Sequence, residues 1–261
     1  MLCEQAAAPD PASRPATGPT PWRVPRPRLI TELLDVAAST HPTRPAIDFY
    51  GRTWTYGKLG DMVERAARGL QDRGLRPGDR FGLCLPNCPA FIVLYFAALR
   101  VGAIVVNFNP LYTERELEHQ IRDSGTRMIA VPDVAMVHDK VEAVAARSGI
   151  DTIVLCEMRG MLPLLMGLGF ALFKRSEHAT IADPALHLRL RDLLASPPSP
   201  RPVDHSPDDV AVLQYTGGTT GVPKGAMLTH ANLTANSAQM LRHVEGILPD
   251  RCRVLGVLPM F

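Results

Sequence analysis

Leu213 to Gly225 reads LQYTGGTTGVPKG, and the organisation of the chain is read outward from it. The run Asp209 to Tyr215 is apolar and rich in β-formers, which predicts a buried strand. Thr216, Gly217, Gly218, Thr219, Thr220 and Gly221 follow. Glycines admit backbone angles that side chains forbid, so successive amide N–H groups can converge on one point as an anion nest. Three threonine hydroxyls add donors, Pro223 stiffens the exit and Lys224 adds a cation. The stretch carries no carboxylate, so its donors suit a polyphosphate. The plainer reading is a flexible glycine-threonine hairpin. The order Pro223-Lys224-Gly225 is not the Gly-Lys-Ser/Thr order of the common phosphate loop, in which the lysine opens a helix. Ala226 to Leu228 predicts a second short strand. Thr229 is a helix N-cap candidate with Asn232 three residues on. The loop is therefore expected to join two strands, with no helix dipole behind the phosphate.

Extended to Leu233, the run YTGGTTGVPKGAMLTHANL resembles the ATP-phosphate signature of the adenylate-forming superfamily, which includes acyl-CoA synthetases, 4-coumarate ligases, luciferases and peptide-synthetase adenylation domains. Upstream, LCLPNCPAFIVLYFAALRVGAIVV and NFNPLYTERELEHQIRDSGTRMIA are similar to segments of bacterial long-chain fatty acyl-CoA synthetases. The resemblance covers residues 28–261, about half of a complete enzyme of that type. It implies activation of a fatty acid through acyl-adenylate to acyl-CoA, with ATP, Mg2+ and coenzyme A. It assigns phosphate contacts to Thr216, Gly217, Gly218, Thr219, Thr220, Gly221 and Lys224, and a Mg2+ contact to Thr216. No catalytic residue is assigned within this stretch. Another acid-activating ligase (aryl, short-chain or carrier-protein-linked) and a non-catalytic remnant are the alternatives.

The preceding chain alternates predicted strands and helices. Helices are expected over 28–40, 59–74, 87–100, 113–123 and 134–147, and strands over 80–85, 103–106, 127–131 and 152–156. Gly51-Arg52 marks a hairpin between two short β runs. Thr113 with Glu116 at N3 forms a capping box. This alternation argues for an α/β fold with layered parallel sheets flanked by helices. By resemblance it is an incomplete large N-terminal domain, with the family's small C-terminal domain absent. Further on, 187–194 reads as a short helix, the stretch after Thr229 as a helix to about 245, and 254–259 as an apolar strand. The expected divisions are a disordered leader over 1–27, a first α/β subdomain over 28–195, a proline-rich linker over 196–207 and a phosphate-loop segment over 208–261. The apolar end at Met260-Phe261 reads as a cut.

Lys plus Arg is 28 and Asp plus Glu is 26, a net charge of +2, which offers no argument for nucleic acid. Cysteines 3, 84, 88, 156 and 252 form no metal-ligand pattern and read as free thiols in a reducing compartment. The leader lacks the apolar core of a signal peptide; a transit peptide is its alternative. Localisation is expected to be cytoplasmic. Met161 to Phe173, MLPLLMGLGFALF, is apolar between basic residues but shorter than the ~20 residues of a span. It is either a core helix or hairpin, or an interfacial segment on the inner membrane face. Histidines 119, 138, 178, 187, 205, 230 and 243 are dispersed and read as ordinary surface or core residues. Glu114, Glu116, Glu118, Asp208 and Asp209 read as solvated acids.

Overall fold

The structure is a computed structural model, and it describes residues 26, 28–163, 165–167, 169, 179, 181, 183–216, 223–244, 253–256, 258 and 260. Helix α1 (Thr31–Thr40) leads into a hairpin of β1 (Pro45–Phe49) and β2 (Arg52–Thr55). Tyr50 (φ 53°) and Gly51 (φ 86°) are both left-handed, as a two-residue hairpin turn requires. Then come α2 (Tyr56–Asp72), β3 (Arg80–Leu83), α3 (Pro89–Arg100), β4 (Ile104–Asn107), α4 (Glu114–Ser124), β5 (Met128–Pro132), α5 (Ala135–Ser148) and β6 (Thr152–Cys156). After an interval come β7 (His187–Arg189), α6 (Leu190–Leu194), β8 (Val210–Thr216), β9 (Lys224–Thr229) and α7 (His230–Val244).

Seven strands form one sheet in the order β7-β6-β5-β3-β4-β8-β9. All neighbours are parallel except β8 and β9. Every residue of β5 is buried, as expected of a strand covered on both faces. Alternate strand residues feed two cores. Phe81, Leu83, Val105, Ala130 and Val154 pack with α1, α2, α3 and α6. Val106, Ile129, Val131, Ile153 and Leu155 pack with α4 and α5. The layers are tight. A Cβ on Gly69 of α2 would lie 2.8 Å from Leu193 Cα and 2.9 Å from its carbonyl oxygen in α6.

Local signals set several boundaries where the sequence predicts them. Thr113 and Glu116 form a reciprocal capping box at α4, and Gly125 closes that helix at φ 68°. At α7, Thr229 Oγ1 accepts from Asn232 N while Asn232 Oδ1 accepts from Thr229 N. The proline-rich stretch 196–207 is strapped along α2: Gln71 donates to the Arg201 carbonyl at 2.9 Å and accepts from Arg201 N at 2.7 Å. Arg65 donates to the Ser196 carbonyl at 3.0 Å. Beyond it, β8 joins the same sheet by pairing with β4 through Val105↔Val212 and Val106↔Leu213.

Two expectations need correction. Residues 187–194 are not one helix: His187–Arg189 pairs with β6 as a strand, and only Leu190–Leu194 is helical. Three residues are too few to show a period, so the neighbouring strand decides. Nor do the described residues between 253 and 260 form a strand. Val254, Leu255 and Leu258 are exposed, and the stretch is held by Asn87, whose Nδ2 donates to the Gly256 and Leu258 carbonyls.

Candidate functional site

Strand β8 runs into the sheet's carboxyl edge, where open α/β sheets bind ligands. Ala211, Val212 and Tyr215 anchor it in the core, and Thr216 emerges exposed. Strand β9 returns antiparallel, with Tyr215↔Gly225 and Thr216↔Lys224 as the last pairs. Thr216 and Lys224 are thus direct cross-strand partners at the mouth of the turn, both exposed, with side chains on one face. Gly217, Gly218, Thr219, Thr220 and Gly221 lie outside the described residues. The strand–turn–strand setting is the one the sequence predicts.

The base of the turn is clamped by residues that sequence reasoning passed over. The Tyr215 hydroxyl donates to Asp123 Oδ2 at 2.5 Å, tying β8 to the last turn of α4. Burial, then the Asp123 carboxylate, pushes the Tyr215 phenol far above its usual range. Its ring covers Gly225: a Cβ there would lie 3.1 Å from Cε2 and Cζ. An aromatic just before the threonine-glycine run was the available signal; its partner 92 residues away was not visible.

Beside this turn, Asn107 Nδ2 at the end of β4 donates to Gln214 Oε1 at 2.9 Å, and Gln120 donates to the Asn107 carbonyl at 2.8 Å. Asn107 Oδ1 is buried and has no hydrogen-bond partner among the described residues. Gln214 and Thr216 share one face of β8. On that face an apolar cavity of roughly 370 Å³ is lined by Phe91, Tyr95, Phe96, Val212, Leu228 and Leu233. A second cavity, of roughly 470 Å³, lies between the start of α4 and Pro223, lined by Tyr112, Thr113, Arg115 and His119.

No described thiol competes as a nucleophile. Cys84, Cys88 and Cys156 are buried and form no disulfide. Burial pushes the Cys84 thiol up to about 12, Cys88 to about 11 and Cys156 well above its ordinary value. Glu114 and Glu118 pair with Arg147 at the surface, as solvated acids do. The histidines are less dispersed than their numbering suggests. His138 meets His187 at 2.8 Å, and the rings of His205 and His230 lie 5.7 Å apart. Among the described residues no helix is long and apolar enough to cross a membrane.

Known proteins resemble this chain over most of its length. The family model described as AMP-binding enzyme matches residues 34–261. A long-chain-fatty-acid--CoA ligase of Bacillus subtilis is 34% identical over 251 residues, 92% of this chain and 44% of that protein. Its Escherichia coli counterpart is 35% identical over 259 residues, 95% of this chain and 45% of that protein. Among solved structures, a long-chain-fatty-acid-CoA ligase from Archaeoglobus fulgidus superposes with a TM-score of 0.72 at 26% identity, covering 92% of this chain and 44% of that one. The chain spans a little under half the length of these relatives. With a family match over residues 34–261 and relatives 34–35% identical over more than nine-tenths of it, the chain belongs to the AMP-binding, adenylate-forming enzyme family.

Proposed function

We propose that this chain is the N-terminal part of an ATP-dependent fatty acid–CoA ligase. The observation that carries the reading is the Thr216–Lys224 pair at the mouth of the β8–β9 turn. The reaction has two steps. A fatty carboxylate oxygen attacks the α-phosphorus of ATP and pyrophosphate leaves, giving acyl-adenylate. The coenzyme A thiol, losing its proton, then attacks the acyl carbon and AMP leaves. Neither step needs a covalent protein nucleophile, so the burden is alignment and charge stabilisation.

In this reading the amides and hydroxyls of Thr216 to Thr220, with Gly221 allowing the turn, donate to the β- and γ-phosphates. Lys224 stands opposite as a point charge and neutralises the departing pyrophosphate. The Thr216 hydroxyl offers a single hard oxygen, which fits Mg2+: that ion keeps several waters and takes few protein ligands. Segment 208–261 carries the phosphate site and 28–195 the scaffold that presents it, joined through 196–207. The protein works in the cytoplasm. Within residues 161–173, of which 164, 168 and 170–173 lie outside the described residues and Met161 is buried, the exposed Leu165 and Met166 support contact with the membrane surface where fatty acids partition.

The test is ATP–pyrophosphate exchange against a carboxylate panel, on this chain and on a version lengthened to the size of its relatives. Lys224→Ala in the lengthened enzyme is expected to lower exchange ~10²–10³-fold, the usual effect of removing one preorganised stabilising group, with its melting temperature unchanged. Unchanged exchange sinks the assignment of Lys224. Preference for aryl or short acids moves the protein to another branch of acid-activating ligases. No exchange from the lengthened enzyme leaves a non-catalytic remnant. Liposome flotation of Leu165→Glu and Met166→Glu tests the membrane contact.

A further inference from the structure

We propose that His138, Glu142 and His187 form a site for a divalent transition cation of the Zn2+ class, which clasps α5 to the edge strand β7. His138 and Glu142 stand one turn apart on α5 and share a face. His187 opens β7. The His138 side chain is fully buried; those of His187 and Glu142 are 3% and 15% exposed. His138 Nε2 lies 2.8 Å from His187 Nε2, and His187 Nε2 lies 3.6 Å from Glu142 Oε1. All three ligand atoms fall within 4.8 Å of one another.

Proton accounting identifies what this cluster lacks. His138 Nδ1 lies 2.9 Å from Asp139 Oδ1, a half-exposed carboxylate that accepts, so Nδ1 carries the proton. His187 Nδ1 lies 2.7 Å from the Asp183 carbonyl oxygen, which can only accept, so this Nδ1 is protonated too. A neutral imidazole has a single N–H. Both Nε2 atoms therefore aim lone pairs at each other, and a positive centre must lie between them. That centre is a cation or one extra proton.

Three features favour the cation. Glu142 supplies a third donor at a separation suited to a shared ion. Each histidine is held through its remote nitrogen by a carboxylate or a backbone carbonyl, the outer-shell arrangement that orients metal-bound imidazoles. Zn–N bonds of about 2.0–2.1 Å place two ligand nitrogens about 3.3 Å apart in a tetrahedron, so the rings need part by only about half an ångström. Two imidazoles and a carboxylate suit Zn2+, Co2+ or Ni2+ rather than Ca2+ or Mg2+, and leave a fourth position for water.

The fold explains why a clasp belongs here. Strand β7 has three residues and lies at the sheet edge, pairing with β6. Asp183 caps the Pro184–Leu186 turn through Ala185 N, which aims His187 at α5. Four strands separate β7 from β8, about 24 Å at ~4.8 Å per strand, so the site is independent of the phosphate turn.

Tag-free protein dialysed against Zn2+ is expected to retain one equivalent per chain and to melt at a higher temperature than the metal-free form. With Co2+ it should show ligand-field absorption without thiolate charge transfer, because the donors are nitrogen and oxygen. His187→Asn should abolish the bound equivalent. Asp139→Asn, at a half-exposed position where folding is safe, should weaken binding about 10–100-fold. Retention of the equivalent in both variants, or a thiolate band with Co2+, overturns the proposal. So does a wild-type protein that binds no Zn2+ while NMR shows one proton shared between the two imidazoles.

Discussion

Tyr215 and Asp123 are joined by a 2.5 Å hydrogen bond that spans 92 residues of chain and ties the end of β8 to the end of α4. The strand that presents Thr216 is therefore braced from below, next to the sheet's edge strand β9. Under the proposed function, such bracing would hold Thr216 in place before a ligand arrives, which is the condition for charge stabilisation without reorganisation.

Tyr215→Phe keeps the ring over Gly225 but removes the bond to Asp123. A bond to a charged partner contributes roughly 1.5–3 kcal/mol, and the partner keeps some solvent, so a loss near the low end is expected in urea denaturation. Asp123→Asn should cost less, since its amide oxygen can still accept. An equal or larger loss in Asp123→Asn would show that the bond is not the source.

Gly225→Val puts a branched side chain where even a Cβ lies 3.1 Å from the Tyr215 ring. The ring must move away from its place beneath the turn. Overpacking of this kind costs about 1–3 kcal/mol, and near-ultraviolet circular dichroism should report the altered tyrosine. Combining Gly225→Val with Tyr215→Ala should recover part of the loss. Strictly additive losses would refute the clash.

His230 is buried, and its Nδ1 accepts from Ile30 N at 3.3 Å. Burial, then the nearby His205, lowers its pKa to about 4, against the opposing pull of Asp209. The folded state therefore holds His230 neutral while the unfolded chain protonates near its ordinary value of about 6.5. Its contribution to stability is complete above about 6.5 and is lost as pH falls toward 4, with a slope of roughly 1.4 kcal/mol per pH unit inside that window. Denaturant melts at several pH values should show a shallower loss in His230→Gln than in the wild type. Parallel profiles would rule His230 out.

Cys84, Cys88 and Cys156 should resist alkylation in the folded protein at pH 8, because burial removes both access and thiolate. Mass mapping after iodoacetamide treatment should find these three peptides unlabelled until denaturant is added. Prompt labelling of Cys84 or Cys88 would contradict the burial.

Much of the architecture was readable along the chain because the signals are local. Thr113 with Glu116 and Thr229 with Asn232 each satisfy orphan amides within one turn of helix, so the residue types alone mark the starts. The sequence predicts the strand Thr152–Cys156 to the residue, since a continuous apolar β run has few alternatives. His187–Arg189 carries no local strand signal, because this edge strand takes its form from β6, 30 and more residues earlier.

By itself, then, the sequence determined the alternating α/β layers, the strand–turn–strand around Thr216 and Lys224, and the family those residues belong to. Hydrophobic period, capping and glycine placement act over a few residues, and each leaves its mark in order. Tertiary structure alone decided which distant side chains share a space: Tyr215 with Asp123, Asn107 with Gln214, and His138 with His187. Those meetings depend on strand order and on which face each helix covers. Both arise from burying two cores at once, which no local stretch of chain encodes.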